Sequence, residues 1–142
     1  MCRRHARALA VVLVLAASGC AGPSAELREG RLGAAQEGMA TYYSPRLAGR
    51  RTASGERYNP VLFTAAHPVL PFGTHVQVTR TTGNRRSVIV RINDRCAGRK
   101  KIIDVSDAAA RALEMKRAGI VPVRLQVVPA PAYPGAEERM GY

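Results

Sequence analysis

Three short polar segments stand out in this sequence, and each ends on or contains a side chain able to carry a proton. Thr52-Ala53-Ser54-Gly55-Glu56 has the composition of a turn and presents Glu56. Thr64-Ala65-Ala66-His67 ends on an imidazole, and Ile92-Asn93-Asp94-Arg95 closes an apolar run with an abrupt polar triplet. Polar side chains at strand ends or on adjoining loops are frequent seats of chemistry, because a rigid scaffold holds them. Each residue also has a plain structural use. Asp94 could brace its turn by accepting backbone N–H bonds. His67 could pack behind two alanines with one hydrogen bond. Glu56 could pair with one of the many arginines. The Glu–His–Asp spacing matches no compact zinc motif, so no metal is expected. Cys96, two residues beyond Asp94, has no adjacent base to make it a nucleophile.

The elements that must position these groups are mostly short strands. Met39–Tyr43 is aromatic and β-prone, and its consecutive tyrosines, Tyr42 and Tyr43, must point to opposite sides. Thr74–Thr79 alternates, with Val76 and Val78 on one face. The turn Thr82-Gly83-Asn84 leads into Ser87–Asn93, where Val88, Val90 and Ile92 share a face, so the two runs read as a hairpin. Ile102, Ile103 and Val105 form another strand, and residues 123–128 alternate again through Val123, Leu125 and Val127. One helix is expected over DAAARALEMKRA. Ser106 is its N-cap, Asp107 lies in its first turn, Asp104 supports its start, and Gly119 is its stop. Many short strands with one small helix point to a compact barrel.

The ends of the 142-residue chain read differently. Arg3, Arg4 and Arg7 precede the uncharged run LAVVLVLAA at 9–17, which is short for a permanent bilayer span. This is the layout of a secretory signal peptide. Ala17-Ser18-Gly19-Cys20 resembles the lipobox of bacterial lipoproteins, in which the cysteine thiol is acylated. The sequence thus predicts a lipoprotein-type signal peptide over 1–19, lipidation at Cys20 and a tether over 20–37. A folded domain is expected over 38–128 and a disordered Pro- and Gly-interrupted tail over 129–142. With Cys2 removed and Cys20 acylated, Cys96 is left without a disulfide partner. Ala21, where an Asp would mark the inner membrane, resembles a signal for the outer membrane facing the periplasm; the cell membrane is the alternative.

The chain carries 22 basic and 10 acidic residues, and 19 against 10 once Arg3, Arg4 and Arg7 are set aside. Such a surface favours polyanions and anionic membranes. No helix-turn-helix, zinc or stacking motif accompanies the charge, so nucleic acid is not the expected partner. Anionic lipid or cell-wall polymer suits an exported protein better.

Residues 39–128 resemble the RlpA-like (rare lipoprotein A) family. The resemblance rests on MATYYS (39–44), TASGERYNP (52–60), FTAAHPVLPFGTHVQVTR (63–80), RSVIVRINDR (86–95) and KIIDVSDAAARAL (101–113). It implies a mainly β fold, a six-stranded double-psi β-barrel with one short helix. It also implies a lytic transglycosylase acting on peptidoglycan, preferentially on strands stripped of stem peptides. The family's catalytic positions fall on Glu56, His67 and Asp94, with Asp94 as the acid. Tyr42, Tyr43, Ser54, Asn93 and Arg95 fall at substrate-binding positions. The implied partners are glycan strands, the membrane through the N-terminal lipid, and cell-division proteins; a monomer without cofactor is expected. The stretch Cys96-Ala97-Gly98-Arg99 departs from the family pattern, which has Gly and then Pro or a small residue there.

The implied chemistry suits these residue types. The β-1,4 bond from N-acetylmuramic acid to N-acetylglucosamine is cleaved by attack of the muramic O6 on its own anomeric carbon, giving a 1,6-anhydro product. One carboxyl group can protonate the leaving oxygen and then take the O6 proton. A second carboxylate is not required, unlike in hydrolases that use a pair. The apolar run before Asp94 predicts partial desolvation, which Arg91 and Arg95 would oppose if they point inward. The alternative function is a non-catalytic peptidoglycan-binding or septal scaffold lipoprotein, because the fold alone does not fix an activity. An ordinary glycoside hydrolase is a third reading.

Overall fold

The computed structural model describes residues 24–132 apart from Ala97 and Arg99. The signal segment 1–19, Cys20 and residues 133–142 of the tail lie outside the described residues. Among those described, the strands are β1 (Ala35–Tyr42), β2 (Thr64–Ala66), β3 (His75–Arg80), β4 (Ser87–Asp94), β5 (Lys101–Val105) and β6 (Val121–Val128). They close into one barrel in the order β1-β5-β2-β4-β3-β6. The β1–β5 and β2–β4 pairs are parallel, and the other four are antiparallel.

Period-2 alternation fills the barrel. Val76 and Val78 of β3, Val88, Val90 and Ile92 of β4, and Val121, Val123, Leu125 and Val127 of β6 are all buried in one cluster. Gly38 of β1 packs against β5: a Cβ there would lie 2.6 Å from Cγ2 of the Ile102 side chain, so any larger residue would displace Ile102.

The expected helix over 107–118 is shorter than its composition suggested. α2 spans Asp107–Ala112, capped by Ser106, whose hydroxyl accepts from the Ala109 N–H at 3.3 Å. Glu114 then adopts a left-handed conformation (φ 51°). Met115 N–H donates to Ala110 O and Glu114 N–H to Arg111 O, the paired bonds of a Schellman stop. Burial of Met115 inside the core supplies the hydrophobic contact that fixes this stop ahead of Gly119. Asp104 does not support the helix start. It lies within β5 and accepts from the Thr41 hydroxyl and the Lys101 ammonium.

Two further corrections concern the ends. A second short helix, α1 (Ala25–Arg28), precedes the barrel, and Pro45–Leu47 forms a 3-10 turn after β1. Residues 24–37 of the segment read as tether over 20–37 therefore enter the fold. Leu27 is 2% exposed and joins the core cluster, Gly33 N–H donates to Val127 O, and β1 begins at Ala35, paired with Gln126. Four helical residues are too few to show a 3.6-residue period, and the first half of β1 is held by backbone pairing along polar and small residues, so neither left a pattern in the sequence. Leu27→Ala is expected to cost about 2–5 kcal/mol of unfolding free energy in urea titration, the range for emptying a buried leucine site. A free tether would show no change.

Candidate active site

Asp94 is the last residue of β4. The β2–β4 ladder shifts register between Ala65 and Ala66, so that Ala66 stands opposite Asp94 on one side and Asp104 of β5 on the other. Such an irregularity re-aims side chains at a barrel rim. Along β4 the alternation breaks there: Ile92 and Asn93 are both buried, and Asp94 emerges half-buried. Its carboxylate accepts from the Tyr43 hydroxyl at 2.7 Å, the Ala53 N–H at 2.7 Å and the Arg95 N–H at 2.8 Å.

The Ala53 donor is delivered by the turn at 52–56. Thr52 N–H donates to Glu56 O, Gly55 N–H donates to Thr52 O, and Ser54 N–H donates to Asn93 O. Gly55 has φ 91°, a conformation that favours glycine. Glu56 locks the turn to the barrel. Arg91 grips its carboxylate with both guanidinium nitrogens, at 2.7 and 2.9 Å, and Asn93 Nδ2 adds a bond at 3.1 Å. These bonds, Arg91's first, together with one from Ser54, outweigh partial desolvation and pull the Glu56 carboxyl down to about 2. Glu56 is thus an ionised clamp at neutral pH, with no proton to give.

Tyr43 and Tyr42 diverge as strand geometry requires. Tyr43 turns to Asp94, and burial with the Asp94 hydrogen bond pushes its hydroxyl pKa up, so it remains a donor. Its ring meets Tyr58 at 5.1 Å between centroids and 60° between planes. Tyr42 points to the other side, packs against the core, donates to Lys116 O at 3.2 Å and lies under the Lys116 ammonium. It does not join the group around Asp94.

His67 is fully buried. Its Nδ1 accepts from Val69 and Leu70 N–H at 3.2 and 3.1 Å, and its Nε2 lies 3.1 Å from Gln36 Oε1. An Nδ1 that accepts fixes the proton on Nε2, which donates to Gln36. Burial, then the charge of Arg95, lowers the imidazole to about 4. The ring ties β1 to the loop after β2 and does not face the cleft. Its link to Asp94 runs through the main chain: His67 N–H donates to Asp94 O, and Arg95 Nη1 donates to His67 O at 3.2 Å. The Arg95 guanidinium also lies 3.9 Å above the Phe72 ring. Cys96 donates its thiol to Ala66 O at 3.5 Å, and desolvation raises it to about 11, which keeps it protonated and a poor nucleophile.

A cleft of about 270 Å³ opens beside Asp94, lined by Tyr43, Leu47, Arg50, Arg51, Thr52, Tyr58 and Asp94. The structure therefore gathers Asp94, Tyr43, Ser54, Glu56, Asn93 and the backbone of Arg95 around one corner. Of these, Asp94 and Tyr43 line the cleft, while Asn93 is 3% exposed and serves Glu56. Tyr58, Leu47, Arg50 and Arg51 are cleft residues that sequence reasoning missed. They come from the loop between β1 and β2, and only Tyr58, inside the TASGERYNP match, carried any signal.

The DPBB_1 family model, described as "Lytic transglycolase", matches residues 35–125. A Nostoc sp. protein named probable endolytic peptidoglycan transglycosylase RlpA is 53% identical over 95 residues, 65% of this chain and 25% of that protein. The Neisseria meningitidis serogroup A endolytic peptidoglycan transglycosylase RlpA is 46% identical over 106 residues, 73% of this chain and 44% of that protein. The chain thus spans a quarter to under half of these relatives' length. Among solved structures, apo Clavibacter michiganensis expansin aligns with TM-score 0.57 at 28% identity, covering 70% of this chain and 53% of the expansin. A point mutant of that expansin, solved in complex with cellohexaose, aligns with TM-score 0.56 at 26% identity and the same coverage. Streptomyces papain inhibitor, at TM-score 0.57 and 23% identity, covers 70% of this chain and 98% of its own and shares the fold. A closed six-stranded barrel, a family match across nearly all of it and curated relatives at about half identity place this chain in the RlpA-like double-psi β-barrel family of lytic transglycolases.

Proposed function

We propose that this chain is an endolytic transglycosylase of peptidoglycan, cleaving the bond from N-acetylmuramic acid to N-acetylglucosamine and leaving 1,6-anhydro-muramic ends on peptide-poor strands. The observation that carries this reading is the single carboxyl group on the cleft wall, Asp94, held in a fixed direction by three donors. The protonated Asp94 carboxyl donates to the leaving glycosidic oxygen as the C1–O4 bond breaks. The muramic O6 forms the new bond to C1, and the Asp94 carboxylate then takes the O6 proton, so the acid is regenerated without water. Glu56 and His67 act as positioning residues: the first holds the turn that offers the Ala53 N–H, and the second holds the loop that carries Arg95. The curated relatives' names support the activity, and the expansin bound to cellohexaose supports a glycan in a cleft of this fold.

Incubating the chain with peptide-free glycan strands and identifying the new ends by mass spectrometry tests this. Anhydro-muramic ends are the expected product. Reducing muramic ends would make the protein a hydrolase, and binding to sacculi with no new ends would make it a wall-binding scaffold. The same reading places the barrel in the cell envelope, held by lipid on Cys20 at the outer membrane facing the periplasm, within reach of the wall. Cell fractionation checks it: Cys20→Ser should move the chain out of the membrane fraction, and persistence there would refute the anchor.

A further inference from the structure

Arg50 is the cleft residue whose chemistry the transglycosylase step does not use. Its backbone is fixed: Arg50 N–H donates to Leu47 O at 3.0 Å, and its carbonyl accepts from Tyr58 N–H at 2.8 Å. Arg50 is exposed and lines the cleft, and its guanidinium makes no hydrogen bond or ion pair among the described residues. This contrasts with nearby arginines. Arg91 is spent on Glu56, Arg57 donates to Gly49 O, and Arg95 rests on Phe72. Arg51, next in sequence and also on the cleft wall, gives Nη1 to Gly55 O. Among the described residues, the cleft lining thus includes two arginines and one acidic residue, Asp94.

A glycan backbone of N-acetylated sugars is neutral except at one place. Each muramic ring carries a lactyl ether on C3, and its carboxyl is a free anion when no peptide is attached and a neutral amide when one is. C3 is two carbons from C1, the atom that must sit at Asp94. A muramic ring placed for cleavage therefore brings its lactyl group into the same small cleft. A guanidinium fork matches a carboxylate with two parallel N–H donors and gives an amide a poorer fit.

We infer that Arg50, assisted by Arg51, is a specificity-determining residue that binds the lactyl carboxylate of the muramic ring in the cleft. This rests on the glycan reading above and adds the group by which the cleft tells peptide-free from peptide-bearing rings.

The test uses two substrates made from one preparation of peptide-free strands, one untouched and one with its lactyl carboxyls converted to methylamides. The wild-type chain should show a KM about tenfold lower for the free-acid strand, the scale of one partly exposed charge-assisted contact. Arg50→Gln should raise that KM about tenfold, leave kcat within about twofold, and remove the difference between the two strands. Arg124→Gln, on the β3–β6 face away from the cleft, deletes the same charge and should keep the difference. Discrimination that survives Arg50→Gln, or that falls equally in Arg124→Gln, overturns the inference. If the wild type cleaves neither strand, the transglycosylase reading fails. Calorimetric binding of the two strands to wild type and Arg50→Gln then decides the role of Arg50 by the same comparison.

Discussion

Asp94→Asn is expected to reduce turnover of peptide-free glycan by about 10²–10⁴-fold, the range for removing a positioned general acid–base group. The substitution is nearly isosteric. The amide oxygen can still accept from Ala53 N–H and Arg95 N–H, which now reach Oδ1 at 2.7 and 2.8 Å. The Tyr43 hydroxyl can reverse and accept from the new NH2. The corner should therefore keep its shape, and the variant should melt within a few degrees of wild type with KM little changed. What is lost is the proton that must reach the leaving oxygen and return from O6. Glu56→Gln supplies the contrast. It breaks the two-point grip of Arg91, loosens the turn bearing Ala53 and should cost turnover less than Asp94→Asn, because Glu56 at about 2 holds no proton to donate. Wild-type turnover in Asp94→Asn would remove Asp94 from the chemistry. A full loss in a normally melting Glu56→Gln, with Asp94→Asn active, would move the acid role to the turn.

The barrel was readable wherever one face of a strand is buried and the other is not. Val76 and Val78, Val88 through Ile92, and Val123 through Val127 alternate in the sequence and in the structure, because a one-residue slip would expose the whole set. The signal failed where packing does not alternate. β2 has three consecutive buried residues, Thr64, Ala65 and Ala66, so it carries no alternation to read. Asp94 could be found as a polar break after an apolar run, but its Tyr43 and Ala53 partners are 51 and 41 residues away, and no local pattern announces them. Arg91 and Arg95 show the same limit. Their places in the sequence left open whether they point at Asp94, and in the fold Arg91 grips Glu56 and the Arg95 guanidinium lies on Phe72. His67 is the instructive case. A lone imidazole among alanines reads equally as cleft or core, and two backbone N–H groups just beyond Pro68 decide for the core by offering donors to Nδ1.

That burial of His67 carries a pH dependence of its own. Folding lowers the imidazole from 6.5 to about 4, because the charged form would lose its hydration and face Arg95. Between these values the unfolded chain holds the extra proton, so unfolding free energy rises with pH across the window. The His67 contribution is complete above about 6.5, falls as the solution is acidified and is exhausted near 4, for a loss of about 3 kcal/mol. Glu56 and Asp107, whose carboxyls are lowered in the fold, lose their contributions only below the usual carboxylate range, so the two acid limbs separate. Urea titrations at about pH 6.5, 5.5 and 4.5 should trace the first limb. In His67→Gln, which keeps a donor for Gln36, that limb should flatten while the lower one remains. The imidazole chemical shifts give the independent check: His67 should stay neutral until about pH 4, and titration near 6.5 would refute its placement. The functional consequence follows from the main chain. Protonating Nδ1 removes the acceptor for Val69 and Leu70 N–H, and the loop it frees carries the carbonyl that holds Arg95 beside Asp94. Activity of the folded wild type should therefore hold across the stability limb and fall only near pH 4, where native Nδ1 takes its proton, and His67→Gln should lack that fall.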